Sequence, residues 1–200
     1  FKPSHESWDM TGALRLYPSL DTLSVFARTV EDAALVDSVL GTGPTAEEAV
    51  APPRIALYRP VEWIRAEAGS VALLEEWAER FAVAGDRVDA VEAPAALAAL
   101  VEASDAIIHY EAGRNAGDIR PRLAETSAVF QELMARADAF PREGYLRALE
   151  TAAAARAAWE TLMADFDAAL TLAVPGEAPI GLASTGDPVF IRTFNVLKVP

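Results

Sequence analysis

A strand, a helix and a second strand follow one another between residues 54 and 93, and this succession constrains the fold more than any other feature. Arg54–Arg59 is a short apolar run after two prolines, and Val88–Ala93 is a second such run. Between them, Ser70–Ala84 carries apolar residues at helical spacing, and Gly85 ends the predicted helix. Two strands joined by a helix of this length predict a parallel pair with a right-handed crossover.

Helices dominate the rest of the chain. The apolar pattern predicts them over residues 30–40, 95–115, 123–137 and 141–165, and a continuous apolar run predicts a buried strand at Ala168–Val174. We expect an apolar face of Val36, Val39 and Leu40 on the first of these helices. Residues 42–53, rich in Gly, Pro and Glu, predict a surface loop, whereas the pattern over 189–199 favours no element.

Few strands among many helices are typical of a layered α/β fold. A sheet of three or four strands is small for so many helices, so we expect it to continue in sequence that is not included here. We therefore predict one partial domain over residues 1–200, with both ends interrupting a larger fold. Three tryptophans are predicted to pack in its core: Trp63, Trp77 and Trp159.

Composition argues against several classes of function. The net charge is −13 and no Lys/Arg cluster is present, which argues against a nucleic-acid partner. The absence of cysteine, with His5 and His109 as the two histidines, excludes disulfides and most zinc sites. We therefore expect no metal and no cofactor. No apolar run reaches the length of a membrane span and no signal peptide is found, so we expect no membrane association and a cytoplasmic protein.

The first forty residues contain a long series of motif residues at fixed spacing. Phe1-Lys2-Pro3-Ser4 is followed by Gly12, then by Pro18-Ser19-Leu20-Asp21-Thr22, and then by Phe26-Ala27-Arg28-Thr29-Val30-Glu31-Asp32-Ala33-Ala34-Leu35. This series resembles the amidase-signature hydrolases, in which a K-P-T element precedes S-L-D-T and A-R-T-V-E-D-A-A-L-L stretches. Within it, Thr29 and Asp32 also form a predicted helix capping box.

A second match lies near the other end of the chain. The family often carries L-T-P-x-x-P-G, followed by T-G-D-P-x-F-N-R and a terminal V-P. Here the corresponding residues are Leu170–Gly176, Thr185–Arg192 and Val199-Pro200. The resemblance thus frames the whole chain, and it implies part of an α/β/α fold in which helices flank a mixed sheet.

Four residues depart from the family pattern. Glu6, Ser24 and Lys198 replace family glycines, and Ile191 replaces an asparagine. A glycine at such a place usually provides a positive φ angle or close backbone approach, so its replacement by Glu or Lys predicts altered loop geometry. They are compatible with a divergent active subfamily and with an inactive copy.

The resemblance implies amide hydrolysis by a serine nucleophile, with a second serine and a neutral lysine as the proton relay. In the family these residues precede the K-P-T element and would lie before Phe1. Residues 1–200 contain no G-S-S-x-G or G-G-S stretch. We therefore assign no catalytic residue to this chain, and we expect a serine-dependent amidase for linear amides whose isolated 200-residue part is inactive.

The C-terminal stretch supplies the candidate substrate pocket. In the resembled family it lies near the acyl-binding cleft. Phe190 and Phe194 would then form an apolar wall, and Arg192 or Asn195 would orient a polar group of the substrate, with Asp187 beside them. The alternative for each residue is core packing of a buried C-terminal segment.

Three interpretations follow. The chain is a segment of a working amidase for a small-molecule amide, a truncated non-catalytic remnant that binds a small molecule or a partner chain, or an α/β binding module whose ends match by chance. We expect a homo-oligomer or association with the missing segment. An isolated chain should be poorly soluble because of an unpaired sheet edge and an open core.

Overall fold

The computed structural model describes residues 1–41 and 51–200. Most of the loop predicted at 42–53 therefore lies outside the described residues. The chain divides into two compact units. The helical unit comprises the described part of residues 1–47 together with 102–152 and 194–200, and the sheet unit comprises the described part of 48–101 together with 153–193. The prediction of one partial domain over residues 1–200 stays a prediction.

The predicted strand–helix–strand succession is present in the sheet unit. β1 (Arg54–Arg59) pairs in parallel with β2 (Arg87–Glu92), and the helix α2 (Ala68–Ala84) connects them. Gly85 ends α2 with a φ of 106°, and the N–H of Asp86 donates to the carbonyl of Phe81 at 3.1 Å. A residue with a side chain would be strained at this φ, which explains the glycine.

β1 is the central strand of the sheet, whose order is β2-β1-β3. Its neighbouring residues Ile55 and Ala56 are both buried, as expected for a strand covered on both faces. Tyr58 is also buried and meets Trp159 edge to face, with ring centroids 5.0 Å apart. The α/β class is confirmed, although the described strands pair in parallel throughout rather than as the predicted mixed sheet.

The strand predicted at Ala168–Val174 is much shorter. β3 covers Ala168–Leu170 and pairs with the Ile55–Leu57 part of β1. After Leu170 the chain leaves the sheet, and the carbonyl of Pro175 accepts a hydrogen bond at 2.8 Å from the N–H of Glu67, just before α2. The apolar run therefore marks a strand and the connection that follows it.

The other helices in the described residues are, in chain order, α1 (Val30–Leu40), α3 (Leu100–Asn115), α4 (Ala128–Ala139), α5 (Arg142–Met163) and α6 (Val189–Leu197). All but α6 are close to the predicted segments. Two short 3₁₀ turns, Ala95–Leu97 and Arg120–Glu125, replace the predicted first turns of α3 and α4. Helix α6 occupies the stretch for which the sequence pattern favours no element.

Small residues allow α3 and α4 to approach closely in the helical unit. Ala112, Ala116, Met134 and Ala137 are buried together, and a Cβ built on Gly113 would lie 2.9 Å from the carbonyl oxygen of Ala137. Apolar side chains that surround this cluster are Leu16, Tyr17, Leu123, Phe130 and Leu133. The cluster joins the N-terminal segment to the two helices.

The core packing predicted for Trp77 is wrong. Trp159 is buried as expected, but Trp77 is 45% exposed and lies on the outer side of α2 beneath the guanidinium of Arg80, which is 4.8 Å from its ring centroid. Helix α1 has no buried residue, and Val39 is 75% exposed. Periodicity identifies an apolar stripe but does not show whether a neighbouring element covers it.

Candidate functional site

A buried carboxylate holds the S-L-D-T segment in place. Glu111, on α3, is 5% exposed. Its oxygens accept from the N–H of Ser19 at 2.9 Å, from the Ser19 hydroxyl and from the Tyr145 hydroxyl at 2.8 Å. Three donors thus satisfy a charge that would be costly to bury alone.

Asn115, one helical turn after Glu111, extends this anchor. Its side-chain amide donates to the carbonyls of Glu111 at 3.0 Å and of Leu16 at 3.4 Å. The turn itself closes through the carboxylate of Asp21, which accepts from the N–H of Tyr17 at 2.8 Å. The family motif is therefore a turn that α3 fixes at two points.

Tyr145 is itself held in a stack of side chains. Its ring lies on that of Tyr110, with centroids 4.1 Å apart, and the guanidinium of Arg114 lies 3.4 Å from the Tyr110 centroid. Burial, followed by the hydrogen bond to Glu111, raises the pKa of Tyr145 above its ordinary value. The neutral phenol therefore stays available as a donor to the carboxylate.

Sequence reasoning missed Glu111. The available signal was its position four residues after Ile107, which is buried. A glutamate on the apolar stripe of a helix is rarely left without donors, so it marks a polar contact in the core. Its partner in the S-L-D-T turn is 92 residues away in sequence, which spacing does not reveal.

The predicted pocket residues lie on or just before α6. Asp187 accepts at 3.0 Å from the N–H of Val189, at the start of the helix, and also forms an ion pair with Arg65. Phe190 is fully buried and lies against Trp63, with ring centroids 6.3 Å apart. Both residues thus have structural contacts within the sheet unit.

The other three candidates have a different environment. Arg192, Phe194 and Asn195 are half-buried on α6, within one helical turn of each other. The carbonyl of Asn195 accepts at 3.2 Å from the N–H of Lys198 as the helix ends. Their predicted role in binding a substrate stays a prediction.

Two of the lost glycines fall at positions that require positive φ. Among the described residues, Glu6 (φ 66°) and Lys198 (φ 64°) are the positive-φ residues other than glycine. Ser24 does not share this conformation, and Ile191 is helical. The two positions where Glu and Lys stand in place of a family glycine are therefore the two that carry backbone strain.

Lys2 is not free to act as a base. Its ammonium group donates to the carbonyl of Val199 at 2.6 Å and to that of Pro3 at 2.9 Å. Burial lowers the pKa of Lys2, which is the direction that a lysine base needs. Both bonds, however, hold the protonated form, so this lysine connects the two ends of the helical unit.

Within residues 1–41 and 51–200, no group of three or more acidic or histidine side chains is arranged to hold a metal ion. In the same residues, no helix is both long and apolar enough to cross a membrane.

The parallel sheet and the helices around it define the α/β class of fold. A crystal structure of an amidase has this fold: its TM-score is 0.85 at 22% identity, and the match covers 98% of this chain and 48% of the amidase chain. The resemblance inferred from the motifs is thus confirmed at the level of the fold.

Two other solved structures agree. The substrate complex of 6-aminohexanoate cyclic dimer hydrolase matches with a TM-score of 0.78 at 17% identity, over 98% of this chain and 51% of that chain. A second structure is described as a vestigial protein complex that reveals the evolutionary origins of an s-triazine catabolic enzyme. It matches with a TM-score of 0.80 at 20% identity, over 98% of this chain and 48% of that chain. At these identities the likeness shows the fold alone.

This chain spans about half the length of the solved structures that it matches. No protein-family model and no curated protein sequence matches it.

Proposed function

We propose that this chain forms the non-catalytic half of a serine-dependent amidase that hydrolyses linear carboxamides in the cytoplasm. The observation that carries the proposal is the amidase fold over 98% of the chain, combined with the motif series at both ends. The nucleophile and its base belong to sequence outside these 200 residues. By itself the chain is inactive.

In this proposal α6 contributes one side of the acyl pocket. Arg192 and Asn195 orient a polar group of a small-molecule amide, and Phe194 contacts its apolar part. Phe190 supports them from the core, and Asp187 fixes the start of the helix through Arg65. A helix is a suitable carrier because its side chains keep their positions as substrates exchange.

The test uses the enzyme assembled from this chain and a polypeptide that carries the Ser–Ser–Lys region, with release of ammonia from a series of carboxamides as the readout. Arg192→Gln should raise KM by at least about tenfold with a smaller change in kcat, as expected for lost substrate binding. Ile191→Ala, at the exposed neighbour of Arg192 on α6, is the matched control and should change neither constant. Equal effects of both substitutions would refute the pocket assignment.

A second candidate is a non-catalytic remnant. The strained Glu6 and Lys198 support it, because a sequence that is no longer selected for activity accumulates substitutions at glycine positions. An assembled enzyme with intact Ser–Ser–Lys residues that turns over none of the carboxamides would favour this remnant over the amidase.

A further inference from the structure

A short 3₁₀ turn, Val61–Arg65, contacts the start of α6 at two points within the sheet unit. It follows the central strand β1 directly, and the N–H of Trp63 donates to the carbonyl of Pro60 at 3.1 Å. We call it the 61–65 turn. It belongs to neither of the motif series near the ends of the chain, so the family resemblance implies no role for it.

The first contact is electrostatic and lies at the beginning of α6. One carboxylate oxygen of Asp187 accepts at 3.0 Å from the N–H of Val189, and the other oxygen pairs with the guanidinium of Arg65. The first N–H groups of a helix have no partner within the helix, so this carboxylate both caps α6 and ties it to the 61–65 turn.

The second contact is between two aromatic rings. Phe190, on the first turn of α6, is fully buried, and its ring centroid lies 6.3 Å from that of Trp63. The guanidinium of Arg59, at the end of β1, lies 5.7 Å from the Trp63 centroid and pairs with Glu75 of α2 at 3.5 Å. Trp63 therefore transmits the position of the sheet to α6.

Together the two contacts fix both the start of α6 and its rotation about its own axis. Successive residues of an α-helix are about 100° apart, so Arg192 lies about 200° around the helix from Phe190 and moves with it. We infer that Trp63 and Arg65 are positioning residues, which act through α6 to set where Arg192 meets the substrate. The inference rests on the proposed function, in which Arg192 binds the substrate.

The effect of Arg65 should be on binding rather than on folding. Its side chain is 52% exposed and that of Asp187 is 35% exposed, and ion pairs at such exposure contribute little to stability. A displacement of about 1 Å in a group that contacts substrate can, by contrast, cost about a hundredfold in rate.

Kinetics of the assembled enzyme test this inference. Arg65→Gln should raise KM for carboxamides by about tenfold with a smaller change in kcat, and Arg65→Lys, which keeps the charge, should restore most of the loss. Arg80→Gln is the matched control, because Arg80 on α2 is 60% exposed and pairs with Glu76 in the same unit. A fall in kcat without a change in KM, or equal effects of Arg80→Gln, would show a general structural effect and overturn the inference.

A double substitution tests whether Arg65 acts through Arg192. Arg65→Gln should add nothing to the KM of Arg192→Gln, because the group that it positions is already absent. A further rise in KM in the double variant would contradict positioning through Arg192.

Hydrogen exchange on the same assembled preparation separates this inference from the proposed function, since it needs no turnover. The amides of residues 189–193 should exchange faster in Arg65→Gln and in Trp63→Leu than in the wild type, and Arg80→Gln should leave them unchanged. Unchanged exchange in the first two variants refutes the positioning alone. A wild type without turnover, or an Arg192→Gln variant with unchanged KM, refutes the proposed function alone.

Discussion

The N–H of His5 donates to the carbonyl oxygen of Lys198 at 3.3 Å, and this bond joins two turns that each contain a strained residue. Glu6 follows His5 with a φ of 66°, and Lys198 itself has a φ of 64°. The resembled family has glycine at both positions. Two substitutions that are far apart in sequence therefore strain the same corner of the helical unit.

Restoring these glycines should stabilise the protein. Glu6→Gly and Lys198→Gly should each raise the free energy of unfolding by about 1 kcal/mol, because glycine adopts positive φ without strain. Ser24→Gly is the matched control: it also restores a family glycine, but at a residue without positive φ. Urea denaturation should show no gain for Ser24→Gly. A loss of stability on Glu6→Gly would show that its side chain contributes more than its backbone costs.

Removing the Glu111 carboxylate should destabilise the S-L-D-T turn. Glu111→Ala leaves donors of Ser19 and Tyr145 unsatisfied, so we expect a loss of about 2–3 kcal/mol in the free energy of unfolding. Tyr145→Phe removes one of the three bonds and should cost about 1 kcal/mol. The double variant should lose less than the sum of the two, since both substitutions act on one network. Additive losses in urea denaturation would contradict a shared network.

The close approach of α3 and α4 predicts opposite effects of two glycine substitutions. Gly113→Ala places a methyl group 2.9 Å from the Ala137 carbonyl oxygen, so it should destabilise by about 1–3 kcal/mol despite the higher helix propensity of alanine. Gly69→Ala, in the first turn of α2, meets nothing within 4 Å and should be neutral or stabilising. Thermal unfolding of both variants decides the matter. A stabilised Gly113→Ala would mean that the helices can separate at no cost.

Stability should fall in alkali through Tyr58. Burial, and then the charge of Glu62, raises the pKa of Tyr58 well above its ordinary value, so the folded state keeps the phenol proton that the unfolded state loses. This contribution is fully present below the ordinary tyrosine pKa of about 10 and is lost as pH rises beyond it. Between roughly pH 9 and pH 11 the wild type should lose more stability than Tyr58→Phe. If the wild type and Tyr58→Phe lost the same stability over this pH range, the titration of Tyr58 would not contribute to the loss.

The sequence predicted the parts of the fold that depend on local chemistry. Residues that are close in the chain determine three of these parts: the start of α1 after Thr29, the strand–helix–strand unit and the end of α2 at Gly85. The length of β3 did not, because an apolar run does not show where the chain leaves the sheet. The exposure of α1 and Trp77 did not either, since periodicity records which side chains are apolar but not which surfaces are covered.

In the candidate site, too, the motif residues can be predicted from the sequence but their long-range contacts cannot. The motif residues around Ser19 were recognised, whereas the Glu111 carboxylate that anchors them was not, because their contact spans 92 residues. Asp187 and Phe190 were chosen from the resembled motif, and their ion pair and burial became visible only in the folded chain. Arg192 and Asn195 stay predictions for substrate binding.

The most direct test of the central claim is the intact mass of the purified 200-residue chain after treatment with a fluorophosphonate serine probe. We expect no adduct on the 21.3 kDa chain, because the proposed nucleophile belongs to sequence outside it. A stoichiometric adduct on a serine within residues 1–200 would contradict the account and identify a nucleophile in this half of the fold.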